Sequence, residues 1–206
     1  MKWNGCVVLP VLLLAGCINF SSPPAPDVKT WPVEPAETGS EPVRPMEGEG
    51  LLFSATRLGG IVVNAPYDRT QFTVKRADGT VAFDHYNVFA AAPSTLLRAT
   101  AQNRLAADGR LGRVVNQASV VTSDAQIEVV VKDLSIDCRE AGHRAASAAV
   151  AIDVVKFGRG PRTVAYSGEG SAAVDAQDGN YSRAFSQAFS QALDAAVIDA
   201  LGPRKK

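Results

Sequence analysis

The stretch from residue 181 to residue 200 constrains the fold more than any other. Tyr181, Phe185, Phe189, Leu193 and Val197 recur at every fourth position, and Ala184, Ala188, Ala192, Ala196 and Ala200 form a second such row. Residues four apart share one face of a helix, so the spacing predicts a helix with an aromatic ridge for the core. The alanine ridge beside it lets a sheet approach closely. Phe-Ser-Gln-Ala occurs twice in succession from Phe185, an echo of helical period rather than an architectural repeat. Gly202-Pro203 stops the helix. Its polar face lacks the lysines and arginines of a helix that lies on a membrane, so it reads as a core helix.

A helix of this kind needs a sheet to cover, and the preceding residues supply one. In 125–138 the apolar residues alternate as Ile127, Val129, Val131 and then change phase to Leu134, Ile136, Cys138. A one-residue slip turns side chains to the other face, which predicts a bulge near Lys132-Asp133. Residues 144–157 place Val150, Ile152 and Val154 on one face and small alanines on the other, and a Gly-Arg-Gly-Pro turn from Gly158 leads into a strand over 162–174. These three strands are long enough for an antiparallel sheet. Upstream, Leu58–Val63 reads as a short buried strand that exits through Ala65-Pro66-Tyr67-Asp68. Residues 71–76 and 80–86 flank Ala77-Asp78-Gly79, a hairpin whose Asp-Gly step predicts positive φ at both central positions. Pro93 opens a helix to residue 107 with Leu97, Ala101 and Leu105 as its buried stripe, widened by Leu96. Gly109 suits its C-terminal cap, and a brief strand over 112–116 follows. The fold class is α/β of the α+β kind, a mixed and largely antiparallel sheet with packed helices.

The chain has 206 residues, room for one domain with extensions. Lysine plus arginine equals aspartate plus glutamate at 21 each, and no basic run is present. That balance argues against a nucleic-acid binder and against a polybasic membrane patch.

Ahead of the domain the residues are of two other kinds. Seven prolines fall between Ser21 and Pro45. With few apolar residues to bury, they predict an extended linker to about Gly50, reaching roughly 30–90 Å. Trp31 within it reads as an incidental exposed aromatic. Residues 6–15 form an apolar run of about ten residues, too short to span a membrane and placed like a signal peptide. Leu14-Ala15-Gly16-Cys17 follows directly and resembles the lipobox of bacterial lipoproteins. That resemblance implies cleavage before Cys17, S-diacylglycerol on its sulfur and N-acylation of its amine. The parts are then 1–16 as signal peptide, 17–50 as lipidated N-terminus and linker, and 51–206 as domain. Cys6 leaves with the signal peptide and Cys17 becomes a thioether. Cys138 keeps the one free thiol and is expected to be buried.

Signs of chemistry are sparse. His85 and His143 have no second ligand at a zinc spacing, and no serine lies in a G-x-S-x-G elbow. Asp84-His85 could supply two members of a triad. Asp84 and Asp133 have no marked carboxylate partner for glycoside chemistry. No catalytic residue, metal ligand or cofactor site is assigned.

In order along the chain, Ile61-Val62-Val63, Ala65-Pro66-Tyr67-Asp68-Arg69, Phe72-Thr73-Val74-Lys75-Arg76, Asp84-His85-Tyr86-Asn87-Val88-Phe89, Pro93, Gly109 and the Phe185/Ala188 helix resemble the ABC-type transport auxiliary lipoproteins, the group that includes PqiC-like proteins. Arg110-Leu111-Gly112-Arg113-Val114 departs from the pattern, since relatives tend to carry an aromatic before the valine. The resemblance implies a domain akin to anticodon-binding-like folds and a non-catalytic role beside an MCE-domain protein and an ABC transporter. Ile18 after Cys17, rather than aspartate, implies an outer-membrane location with the domain facing the periplasm. A homo-oligomeric ring is compatible with the family, though the residues do not spell it out. A lipid-binding carrier and a cell-envelope hydrolase are the alternative functions.

Overall fold

A computed structural model describes residues 26–33, 51–157, 163–177 and 179–203. Along these, β1 (Lys29–Trp31), β2 (Ala55–Val63), β3 (Gln71–Arg76) and β4 (Val81–Phe89) precede α1 (Pro93–Ala106). Then come β5 (Arg113–Val115), β6 (Ala125–Cys138), β7 (Ala145–Lys156), β8 (Thr163–Asp175) and α2 (Tyr181–Leu201). The strands form one mixed sheet, and with the two helices the fold is mixed α/β.

β6 is its spine. One side of β6 pairs antiparallel with β7 along almost its whole length, and β7 pairs antiparallel with β8. The other side is shared by two shorter strands laid end to end. β2 runs parallel to Thr56↔Ala125 through Val63↔Val131, and β3 runs parallel over Val74↔Ile136 to Arg76↔Cys138. The bulge predicted from the phase change falls between Val131 and Asp133. It lets both halves of β6 bury their apolar residues, with Ile127, Val129 and Val131 ahead of it and Leu134 and Ile136 after. β5 extends the sheet beside β2, and β4 beside β3.

Both helices join one core cluster on one face of the sheet. Phe72, Phe89 and Phe185 meet at centroid separations of 4.6 to 5.0 Å, and Tyr181 joins Phe72 at 5.4 Å. Each such pair contributes roughly 0.5–1.5 kcal/mol beyond the area it buries. The alanine row of α2 lies on β8 at Gly168 and Gly170. A Cβ built on Gly168 would stand 2.3 Å from the Ala196 carbonyl oxygen, so only hydrogen fits there. Asp199 of α2 then reaches over the sheet edge and accepts the Glu169 N–H at 3.0 Å, closing part of the unpaired side of β8. In β7, Ala149 and Ala151 lie on the face opposite Val150, Ile152 and Val154, as expected, while Ala146 and Ala148 share the buried face with the valines and isoleucine.

Three expectations need correction. The Asp-Gly step does not form a turn with two positive φ values. Gly79 alone has one, at 81°, and donates its N–H to the Arg76 oxygen at 3.0 Å, so the glycine completes a longer connection. Cys138 is half-buried rather than enclosed, lying at the last position of β6 and packing against the edge of the core. The third correction concerns the linker. Lys29–Trp31 pairs parallel with β4, Lys29 opposite Asn87 and Trp31 opposite Phe89, and Val33 is buried in the core. Proline spacing leaves Val28 to Trp31 free to extend, and the aromatic cluster offers Trp31 a partner.

Candidate functional site

Cys17, the one residue to which the sequence assigns a modification, lies outside the described residues. Among the described residues no helix is long and apolar enough to cross a membrane, and no group of three or more His, Cys, Asp and Glu side chains is placed to hold a metal.

One structure to which the family-like residues 84–89 contribute is the edge where β1 meets β4. Trp31 packs edge-on against Tyr181 at 5.4 Å, and its indole N–H donates to Asn87 Oδ1 at 3.0 Å. Asn87 in turn donates to Asp84 Oδ2 at 2.8 Å. The β3–β4 register jumps from Phe72↔Asp84 to Gln71↔Val88, so residues 85–87 bulge out of the strand. Asp84 Oδ1 accepts the N–H groups of Tyr86 and Asn87, at 2.8 and 3.1 Å, which holds the bulge in shape. The Asp84 carboxylate is thereby engaged with backbone, while His85 and Tyr86 are exposed at the tip.

The other family-like segment does similar work. Ala65-Pro66 is a cis peptide bond, and Asp68 two residues on accepts the Ser94 N–H at 3.0 Å and its hydroxyl at 3.1 Å. Asp68 thus supplies the N-terminal cap that Ala92 cannot give α1.

A polar cluster occupies the helix-free face at the β6 bulge. Asp133 accepts from Lys75 Nζ at 2.5 Å, from the Ser135 hydroxyl at 2.9 Å and from the Ser147 hydroxyl at 3.1 Å. Burial raises the Tyr67 phenol above its ordinary value, and the adjoining Asp133 charge and hydrogen bond raise it further. Every donor converges on one carboxylate, so the cluster ties the loop before β3 to the bulge. Sequence reading missed it, since its members are spread from residue 67 to residue 147. Downstream, the Arg139 hydrogen bond holds the Asp137 carboxyl at about 2.

Concave regions among the described residues include the following two. An open cleft of about 630 Å³ at the β6–β7 turn is lined by Cys138, His143 and Asp175, with His143 Nε2 2.7 Å from Asp175 Oδ1. A groove of about 300 Å³ between α1 and α2 is lined by Leu105, Leu193, Val197 and Ile198, with the Arg104–Asp194 ion pair at its rim. Arg110, in the stretch that departs from the family pattern, pairs with Asp108 and donates to the Leu201 and Gly202 carbonyl oxygens, capping α2.

No family model matches the chain, and no curated protein does. The fold is that of solved structures. The protein XCC0632 of Xanthomonas campestris, of family DUF330, superposes with a TM-score of 0.53 at 16% identity, over 82% of this chain and 85% of that one. A second, uncharacterised protein superposes with a TM-score of 0.54 at 12% identity, over 80% of this chain and 93% of its own. At these identities the likeness is one of fold.

Proposed function

We propose that this protein is an outer-membrane lipoprotein, acylated at Cys17, that serves as a non-catalytic auxiliary component of an MCE/ABC-type intermembrane lipid transport system. The observation that carries the reading is what the family-like motif does in the fold. Its carboxylates Asp68 and Asp84 are spent on capping α1 and shaping the β4 bulge. Carboxylates used in this way favour a scaffold over a reaction centre. The lipobox-like Leu14-Ala15-Gly16-Cys17 adds the anchor, and the fold shared with XCC0632 is compatible with both.

Crosslinking in cells followed by identification of the partner tests this. Recovery of an MCE-domain protein or its ABC transporter is the expected result. Recovery of only peptidoglycan or unrelated enzymes overturns the reading.

The carrier alternative has one observation in its favour, the apolar groove between α1 and α2. A lipid lying between sheet and helix is opposed by the contact of α2 with Gly168 and Gly170. Native mass spectrometry of protein purified from cells distinguishes the two: a recurrent bound lipid supports a carrier, and none supports a scaffold.

A further inference from the structure

We infer that the edge formed by β1 and the β4 bulge lies flat on the phospholipid surface that holds Cys17. The inference rests on the lipoprotein reading above and adds an orientation to it.

Connectivity is the first ground. Docking of β1 leaves eleven residues, twelve Cα-to-Cα steps, between Cys17 and Lys29. Such a stretch spans at most about 43 Å at ~3.6 Å per residue, and a random coil of that length averages about 20 Å. The edge that receives the chain is therefore the part of the domain held nearest the lipid.

Chemistry is the second ground. Val28 and Tyr86 are 57% and 54% exposed and directly precede Lys29 and Asn87, the first pair of the β1–β4 register. Val81, 49% exposed, begins the same strand. The Arg69 guanidinium lies over the Phe83 ring, 4.7 Å from its centroid, and Lys29, Arg76 and His85 are exposed nearby. Rings and aliphatic side chains interleaved with cations suit the headgroup layer, where an aromatic body sits in apolar surroundings with its polar tip in water. The carboxylates here are Asp27, Asp68, Asp78 and Asp84, so the cations are balanced and the exposed apolar side chains, with the short tether, carry the contact.

The opposite edge differs. β8 lies five strand spacings away, about 24 Å at ~4.8 Å each. Its Glu169 is paired with Lys132 and its Asp175 lies against His143, so distance from the anchored end of the chain, rather than charge, sets this edge apart.

Hydroxyl-radical footprinting reads the orientation without altering the edge. Acylated protein is purified from cells into vesicles of phosphatidylethanolamine and phosphatidylglycerol, with the Cys17→Ser protein in solution as reference. Tyr86 should be modified at least about threefold more slowly on vesicles, since interfacial burial runs about 5–10 Å deep. Tyr166 on β8 should be unchanged. Equal modification of both tyrosines on protein that floats with the vesicles overturns the inference and leaves the anchor reading standing. Protection of Tyr86 already in the soluble reference also overturns it, because another copy would then cover the edge. Failure of the wild-type protein to float overturns the anchor and the orientation together.

Discussion

Gly170 of β8 lies directly beneath Ala192 of α2: a Cβ on the glycine would stand 2.2 Å from the Ala192 carbonyl oxygen and 2.5 Å from the Ala196 nitrogen. Backbone on one side meets backbone on the other, so neither can yield as a side chain would. Gly170→Ala should cost about 1–3 kcal/mol or more, as overpacking does. Gly60→Ala, where a Cβ meets nothing within 4 Å, should stay within about 0.5 kcal/mol. Urea unfolding of the two variants makes the comparison.

Asp84 and His85 separate the scaffold from the hydrolase. Asp84→Ala removes the acceptor for two backbone N–H groups and the Asn87 amide, and should lower stability by about 1–3 kcal/mol. His85→Ala at the exposed tip should change stability by less than about 0.5 kcal/mol. A hydrolase would show the reverse pattern in an assay on lipid or cell-wall substrates: both variants inactive and fully stable.

Trp31 is the single tryptophan left once residues 1–16 are removed, so its fluorescence reports whether β1 is docked. Its emission should be that of a half-buried indole in the folded domain and shift red on unfolding. Trp31→Ala should cost about 2–3 kcal/mol, somewhat below the usual range for a fully buried aromatic. An unshifted emission in the folded protein, matching free tryptophan, would show β1 undocked in solution.

Asp124 sets an acid limit. Burial would raise its carboxyl, but the N–H groups of Ser54 and Ala55 and the Ser54 hydroxyl outweigh that and hold it below the ordinary value. A depressed folded value means the contribution is complete above about pH 4 and lost as pH falls through the folded value. Asp124→Ala should lose about 1–3 kcal/mol at neutral pH and show a shallower loss of stability in acid. Unfolding curves at neutral and acid pH check both.

Cys138 is half-buried and lines the open cleft at the β6–β7 turn. It should react with a maleimide in the folded protein, before denaturant is added. A thiol titrated only after unfolding would restore the enclosed site expected of a lone small hydrophobe.

What was legible in the residues was what one element carries by itself. The phase change from Val131 to Leu134 located the bulge, and the two rows on α2 separated its aromatic and alanine ridges. The glycines beneath those alanines were not legible, because glycine in a strand reads as weakness until a helix is known to press on it. Trp31 left a faint signal: Val28, Thr30 and Val33 around it suit a strand, but the flanking prolines read more strongly as linker. Asp133 left none, since its partners come from three separate segments.

By itself the sequence determined the element types of the domain after Gly50, the ridges of α2, the place of the bulge and the lipobox-like Leu14-Ala15-Gly16-Cys17, since periodicity and short motifs lie within a few residues of chain. The tertiary structure alone decided that β2 and β3 share one side of β6, that Asp84 serves the backbone, and that Trp31 bonds Asn87 across 56 residues. Those outcomes depend on surfaces that exist only after distant segments have packed, and a strand as short as β1 has too few residues to announce a partner it has not yet met.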